Sequence, residues 1–183
     1  MPKIIEDPTS DILEEARKIL FSEGYEGLNM RIIAKNCGIA TGTIYNYFPK
    51  KDDLIAQMMM THWNNYFLLI DQIDGETTDI YEKLNRIYVH FKIFTDEFHS
   101  VFLSRNFQAM NATDETRANK NDFMNRLQQR IEKILEHHFK ESDLKISHAE
   151  VSTFVLANFI AVSYVPSYSY ALFASILQNL YER

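Results

Sequence analysis

Between Leu28 and Leu54 the chain reads LNMRIIAKNCGIATGTIYNYFPKKDDL, a stretch rich in cations and small polar side chains with no acid before Asp52. Arg31, Lys35, Lys50 and Lys51 offer positive charge to phosphate-like oxygens. Thr41, Gly42 and Thr43, then Tyr45, Asn46 and Tyr47, offer hydroxyls, one amide and uncovered backbone. Such groups suit a polyanion: charged hydrogen bonds fix its backbone, and short side chains let a helix approach close enough to read base edges. This is the chemistry of recognition, not of bond making.

The charge balance sharpens the contrast. The 183-residue chain carries a formal charge of −6, from 19 Lys and Arg against 25 Asp and Glu. Residues 28–51 hold four of the cations and none of the acids, so the other 15 cations face 25 acids, a balance of −10. That asymmetry focuses anion attraction on one small region.

Catalysis and metal binding find no comparable support. His137 and His138 are adjacent, so on a helix they diverge by about 100° and do not chelate together. His62, His90, His99 and His148 lack ligand spacing. The single cysteine, Cys37, has no histidine nearby in sequence, and no glycine-rich phosphate loop occurs. No catalytic residue, metal or cofactor is expected. One cysteine excludes an internal disulfide framework and fits a reducing cytoplasm. No apolar run approaches the roughly 20 residues of a membrane span, and MPKIIEDPTSDI lacks a secretory apolar segment. A cytoplasmic protein without membrane contact is expected.

The elements that position these residues read as helices throughout, with an apolar content of 46%, ample for a packed core. Ile12, Leu13, Ala16, Ile19 and Leu20 line a first helix, capped by Thr9 or Ser10 and stopped at Gly24. A second starts behind Asn29 and ends near Gly38; a third spans Thr41–Tyr47, because Pro49 disfavours helical geometry at Phe48. Asp52 and Asp53 open a fourth, which runs to about residue 73, roughly 33 Å. Further helices are expected over about 78–96, 97–110, 115–139, from Ser147 to about 164, and 167–181. A polar loop is expected at 111–114. The Ser147–Glu150 pair has capping-box spacing. The fold class is therefore all-α: a three-helix helix-turn-helix domain, residues 1–50, followed by a larger helical regulatory and dimerisation body, residues 51–183, about nine helices in all. A short helix behind a tight turn, backed by a supporting helix, points to double-stranded DNA as the partner.

The pattern Ile12-Leu13-x-x-Ala16, Leu20-Phe21, Gly24, Ile33-Ala34, Gly38-Ile39, Gly42-Thr43-Ile44-Tyr45, Tyr47-Phe48 and Lys51-Asp52-x-Leu54 resembles the N-terminal domain of the TetR family of bacterial transcriptional regulators. The likeness covers about residues 10–55. It implies a homodimer that binds a palindromic operator and represses transcription. By position, it places Arg31, Thr41, Gly42, Thr43, Tyr45, Tyr47 and Lys51 at the DNA; Asn46 is an additional base-reading candidate from its chemistry alone. Asn29 stands where the family often has Thr, Cys37 where it has Ala and is expected to be buried, Pro49-Lys50 is a variant loop, and Ile32 replaces a common polar residue.

The body carries many aromatics. Each can be core packing, or the wall of a cavity for an apolar or aromatic effector; the resemblance implies such a cavity. The candidates are Trp63, Phe67, Tyr88, Phe91, Phe94, Phe107 and Phe123. In the last two helices, Phe154, Ala157, Ala161, Tyr168, Leu172 and Ile176 leave more apolar surface than one inward face requires, and two such helices from each of two copies would form a four-helix bundle. The expected protein is a ligand-responsive repressor. The alternative is a helix-turn-helix regulator with a filled body controlled by a protein partner.

Overall fold

Nine helices, and no strand, form among the described residues of the computed structural model, which are 7–103, 114–140 and 146–181. They are α1 (Thr9–Gly27), α2 (Met30–Asn36), α3 (Thr41–Tyr47), α4 (Lys51–Asp74), α5 (Ile80–Glu97), α6 (His99–Leu103), α7 (Asp114–His138), α8 (His148–Tyr164) and α9 (Tyr170–Tyr181). They group into two compact units. The first takes α1–α3, α4 through Asn64, and the described residues from Glu97 through α6; the second takes Asn65–Asp96 and α7–α9.

In the first unit, α1 turns Ile12, Ala16, Ile19 and Leu20 inward at helical spacing. Ile33 and Ala34 of α2, Ile44 of α3 and Leu54, Ile55 and Met58 of α4 are buried as well. Glu97 is also enclosed, its side chain only 5% exposed, and the Arg17 guanidinium meets it with two hydrogen bonds of 2.6 and 3.0 Å. His62 Nδ1 lies 3.8 Å from the same carboxylate. Neither Thr9 nor Ser10 caps α1, contrary to expectation: Pro8 holds the cap position, and the Asp7 carboxylate accepts from the Thr9 amide at 2.9 Å. Cys37 is half-buried rather than buried: it caps the C-terminal end of α2, and its Sγ donates to the exposed Asp11 carbonyl at 3.5 Å.

In the second unit, α7 buries Phe123, Leu127, Ile131, Ile134 and Leu135, and α8 buries Val151, Val155, Leu156 and Phe159. The capping box opens α8: Ser147 Oγ accepts from the Glu150 amide while Glu150 accepts from the Ser147 amide. Two helices start later than the sequence indicates. Asp79 accepts from the Tyr81 and Glu82 amides and so becomes the cap of α5. A turn closed by Tyr168 N–H on the Val165 carbonyl delays α9, with Ser169 Oγ taking the Leu172 amide. Residues 104–113 lie outside the described set, and with them Phe107, the polar loop and the rest of the expected sixth helix. No helix among the described residues is long and apolar enough to cross a membrane.

Charge fixes the C-terminal end of α4. Lys83, almost fully buried, donates to the Asp74 carbonyl at 2.9 Å, where the helix dipole favours a cation. Lys133 and His137 reach the Asp74 carboxylate at 2.9 and 2.8 Å. Burial alone would raise the Asp74 pKa, but hydrogen bonds from Lys133 and His137 bring it below the ordinary value. The unfolded chain therefore takes up this proton first as pH falls. The stabilisation is full above the ordinary value of 3.8 and is lost as pH drops through the lower folded value. Asp74→Asn is expected to cost about 1–3 kcal/mol at neutral pH. The difference in thermal stability between the two proteins should vanish in strong acid; a difference that persists there counts against the ion pairs as its source.

Candidate nucleic-acid interface

Each helix of the α2–α3 pair is set by a local device. Asn29, in extended conformation, accepts from the Arg31 and Ile32 amides at 2.9 and 3.4 Å and starts α2. Gly38 ends it with φ of 68°. Gly38 N–H then bonds the Lys35 carbonyl at 3.1 Å and Ile39 N–H the Ala34 carbonyl at 3.0 Å, the paired bonds of a Schellman closure. A side chain at Gly38 would meet no neighbour, so backbone handedness, not space, requires glycine there. Ala40 leads into α3, and Phe48, buried and extended ahead of Pro49, stops it.

Ile44 is the one buried residue of α3, which turns nearly everything else outward. Thr41, Gly42 and Asn46 are exposed, Thr43 is half-buried, and Tyr45 and Tyr47 remain 44% and 42% exposed despite their size. Arg31 and Lys35 are exposed on α2. Among the described residues, none of the side chains of Arg31, Lys35, Thr41, Thr43, Tyr45, Asn46 and Tyr47 makes a hydrogen bond or ion pair with the rest of the chain. The surface has cations, hydroxyls, an amide and two aromatic rings, all unspent. A Cβ built at Gly42 meets nothing within 4 Å, so the fold itself does not require glycine there.

Lys51 differs from the other cations. Its Nζ donates to the Tyr25 carbonyl and stands 3.9 Å from the centre of the Tyr25 ring. Nor are the first amides of α4 all open, since the Asp53 carboxylate accepts from Lys50 N–H at 2.9 Å. The Cys37 thiol is pushed up by burial and then by Glu15 and Asp11, which keeps it protonated and a poor nucleophile. Sequence reasoning passed over Tyr25, whose role comes from the bend at Gly24 and from residues 26 and 27 positions further along the chain.

The effector candidates are not all in one place. Phe67, Tyr88, Phe91, Phe94 and Phe123 are buried in the second unit, whereas Trp63 belongs to the first and Phe107 lies outside the described residues. Phe67 and Phe94 pack on Phe123 at 5.4 and 6.0 Å between ring centres; Tyr88 and Phe91 pack on Phe159 at 5.4 and 6.3 Å. Of the candidates in the last two helices, Leu172 and Ile176 are 48% and 41% exposed, Ala157 is exposed, and Phe154, Ala161 and Tyr168 are half-buried. Tyr168 OH donates to Asn158 Oδ1 at 2.5 Å, tying the start of α9 to α8.

Residues 12–58 match the sequence profile of the bacterial regulatory proteins, tetR family. An HTH-type transcriptional regulator of Staphylococcus aureus is 35% identical over 71 residues, 39% of this chain and 38% of that protein. The chain spans less than half the length of the curated relatives it matches. Among solved structures, the regulator FadR of Bacillus subtilis, in complex with stearoyl-CoA, is 18% identical with a TM-score of 0.64, covering 94% of this chain and 97% of that one. A putative regulator of Saccharomonospora viridis, in complex with choline, is 19% identical with a TM-score of 0.64, covering 96% and 95%. At these identities the two structures establish a shared all-helical architecture, and the profile match through α1–α3 establishes descent. Residues 12–58, the helix-turn-helix region of this chain, match the tetR family of bacterial regulatory proteins.

Proposed function

We propose that this protein is a homodimeric, DNA-binding transcriptional regulator without catalytic chemistry. It acts as a repressor, released from a palindromic operator by a small apolar or aromatic effector. The observation that carries the DNA-binding reading is the unengaged surface of α2 and α3. Among the described residues, the side chains of Arg31, Thr41, Thr43, Tyr45, Asn46 and Tyr47 make no hydrogen bond or ion pair, and Gly42 leaves the backbone between them uncovered, in a stretch without acids. Cations there neutralise phosphates, and the small side chains opening α3 let it seat in the major groove.

Two copies are needed to read a palindrome. Leu172 and Ile176, four residues apart on α9, with exposed Ala157 and half-buried Ala161 on α8, support pairing of these helices with those of a second copy. The resulting dimer would present its α3 helices to half-sites about 34–36 Å apart. The effector step is supported by the aromatic cluster of Phe67, Tyr88, Phe91, Phe94 and Phe123, and by relatives of the same fold that hold stearoyl-CoA and choline. The helix α4 carries buried Phe67 and buried Leu54, so an effector that prefers another setting of α4 shifts the population of DNA-competent dimers. Ring-on-ring packing in that cluster favours a second reading, in which the body is filled and a protein partner replaces the effector.

Selection of bound sequences from a random duplex library is expected to enrich a two-fold symmetric site; enrichment of no palindrome sinks the DNA-binding reading. Gly42→Ala should leave thermal stability unchanged or raise it by up to about 1 kcal/mol. It should weaken the selected duplex about tenfold or more, corresponding to about 1.4 kcal/mol. Retained affinity would mean that no partner approaches Gly42. Leu172→Glu combined with Ile176→Glu should yield folded monomers in sedimentation; unaltered dimers would place the interface elsewhere.

A further inference from the structure

Arg126, Arg130, Lys133 and His137 recur every three or four residues and so fall on one side of α7. All but the first meet a carboxylate of α4. Arg130 takes Asp71 with two bonds of 3.0 and 3.2 Å, and Lys133 and His137 share Asp74 at 2.9 and 2.8 Å. Arg126, one turn before Arg130, continues the row, but the α4 residue one turn before Asp71 is Phe67. The guanidinium therefore lies over an aromatic ring, 4.4 Å from its centre, instead of against an acid of α4. Among the described residues it approaches one carboxylate, Asp122 of its own helix, at 3.8 Å, which is too long for a hydrogen bond. The Asp122 side chain is 67% exposed, and an ion pair so open to water contributes little.

Arg126 also stands at the boundary between water and an aromatic core. Its own side chain is 43% exposed, whereas Phe67 beneath it is 2% exposed and packs on Phe123, on which Phe94 packs in turn. A guanidinium makes no hydrogen bond here among the described residues, yet it is held flat on the outer ring of a buried cluster. That combination suits an apolar body ending in an oxyanion. We propose that Arg126 binds the carboxylate or phosphate end of the effector, with the apolar part against Phe67. This rests on the effector reading above and narrows it, from an apolar or aromatic molecule to an amphipathic anion. The planar fork of arginine meets two oxygens of either head group at once, and its contact with the ring fixes the plane in which it does so. Arg130 and Lys133 are unsuited to the role, because Asp71 and Asp74 already engage them.

Calorimetric titration of the full-length protein with acetate, octanoate, phenylbutyrate, octyl phosphate and octanol tests this. At least one of the three amphipathic acids should bind saturably, about tenfold or more tighter than both octanol and acetate. The tighter of the carboxylates and the phosphate identifies the head group. Arg126→Met keeps a flexible apolar side chain over Phe67 but removes the charge. It should weaken the preferred acid about tenfold or more while leaving octanol unchanged. Arg126→Lys, which keeps the charge without the fork, should recover only part of the loss. In the wild-type protein the Nε–H resonance of Arg126 should shift on titration with the preferred acid, a readout that stands even if the variants fail to fold. Octanol binding as tightly as the acids, acetate binding as tightly as its longer analogues, an acid affinity indifferent to Arg126→Met, an unmoved Arg126 resonance, or no saturable acid binding overturns the proposal. Fluorescence anisotropy on the selected duplex keeps the two readings apart. An acid that binds through Arg126 yet leaves the duplex bound overturns the effector reading alone. An apolar molecule that releases the duplex equally from the wild type and from Arg126→Met upholds that reading and overturns the anion site.

Discussion

The arrangement depends on how little of α3 is used to hold it in place. A seven-residue helix has almost no stability of its own, because the cost of nucleating it is spread over too few hydrogen bonds. Ile44, with no exposure, is its only buried residue, and buried Phe48 follows at its end. These two apolar anchors, buried like Ile12, Ala16, Ile33 and Ala34 of the same unit, hold the helix. Burying a large aliphatic or aromatic side chain stabilises by about 1.5–3 kcal/mol, enough to fix one turn and leave the opposite face free. Ala16 and Ala34 matter for the same reason, since small side chains at zero exposure let α1 and α2 come close enough to form a floor.

Such economy shifts the burden to the ends of the neighbouring helices. Asn29 and the Gly38 closure fix where α2 begins and stops, so the turn into α3 has one geometry. The bend at Gly24 and its contacts with Lys51 and Asp52 fix the flanking elements. Arg17 and Glu97 add a link between α1 and the end of α5. Glu97 is nearly enclosed, and a carboxylate taken out of water needs both guanidinium bonds to offset its desolvation. Polar groups inside this unit therefore hold position, while the polar side chains of α3 make no hydrogen bond or ion pair among the described residues.

Much of this was legible in the sequence, and the exceptions have physical causes. The span Thr41–Tyr47, the Asn29 cap, the Gly38 turn and the Ser147–Glu150 box follow from local rules in which neighbouring residues decide the outcome. The starts of α5 and α9 were less accessible, because Asp79 and Ser169 compete with several nearby residues equally able to accept an amide. Asp7 took the Thr9 amide for the same reason. Lys51 shows the deeper limit. Its contact with Tyr25 lies 26 residues away, and no local pattern encodes that Tyr25 turns inward at a glycine bend. Ion pairs such as Arg17–Glu97, 80 residues apart, are invisible for the same reason.

The aromatic cluster of the second unit sets a condition on any effector. Phe67 and Phe94 both pack on Phe123, and Tyr88 and Phe91 on Phe159, with Tyr170 stacked on Tyr88 at 4.7 Å between ring centres. Each such pair contributes about 0.5–1.5 kcal/mol beyond the area it buries. A molecule that entered would have to return that energy through its own apolar contacts. Arg126 and Arg130 lie over the Phe67 ring, 4.4 and 4.5 Å from its centre, so displacing Phe67 would also disturb two cations and the 3.0 and 3.2 Å bonds from Arg130 to Asp71 of α4. Phe67 and Asp71 both stand on α4, so Arg130 of α7 meets that helix at two points. Differential affinity of this kind, and not tight binding as such, is what moves a two-state equilibrium.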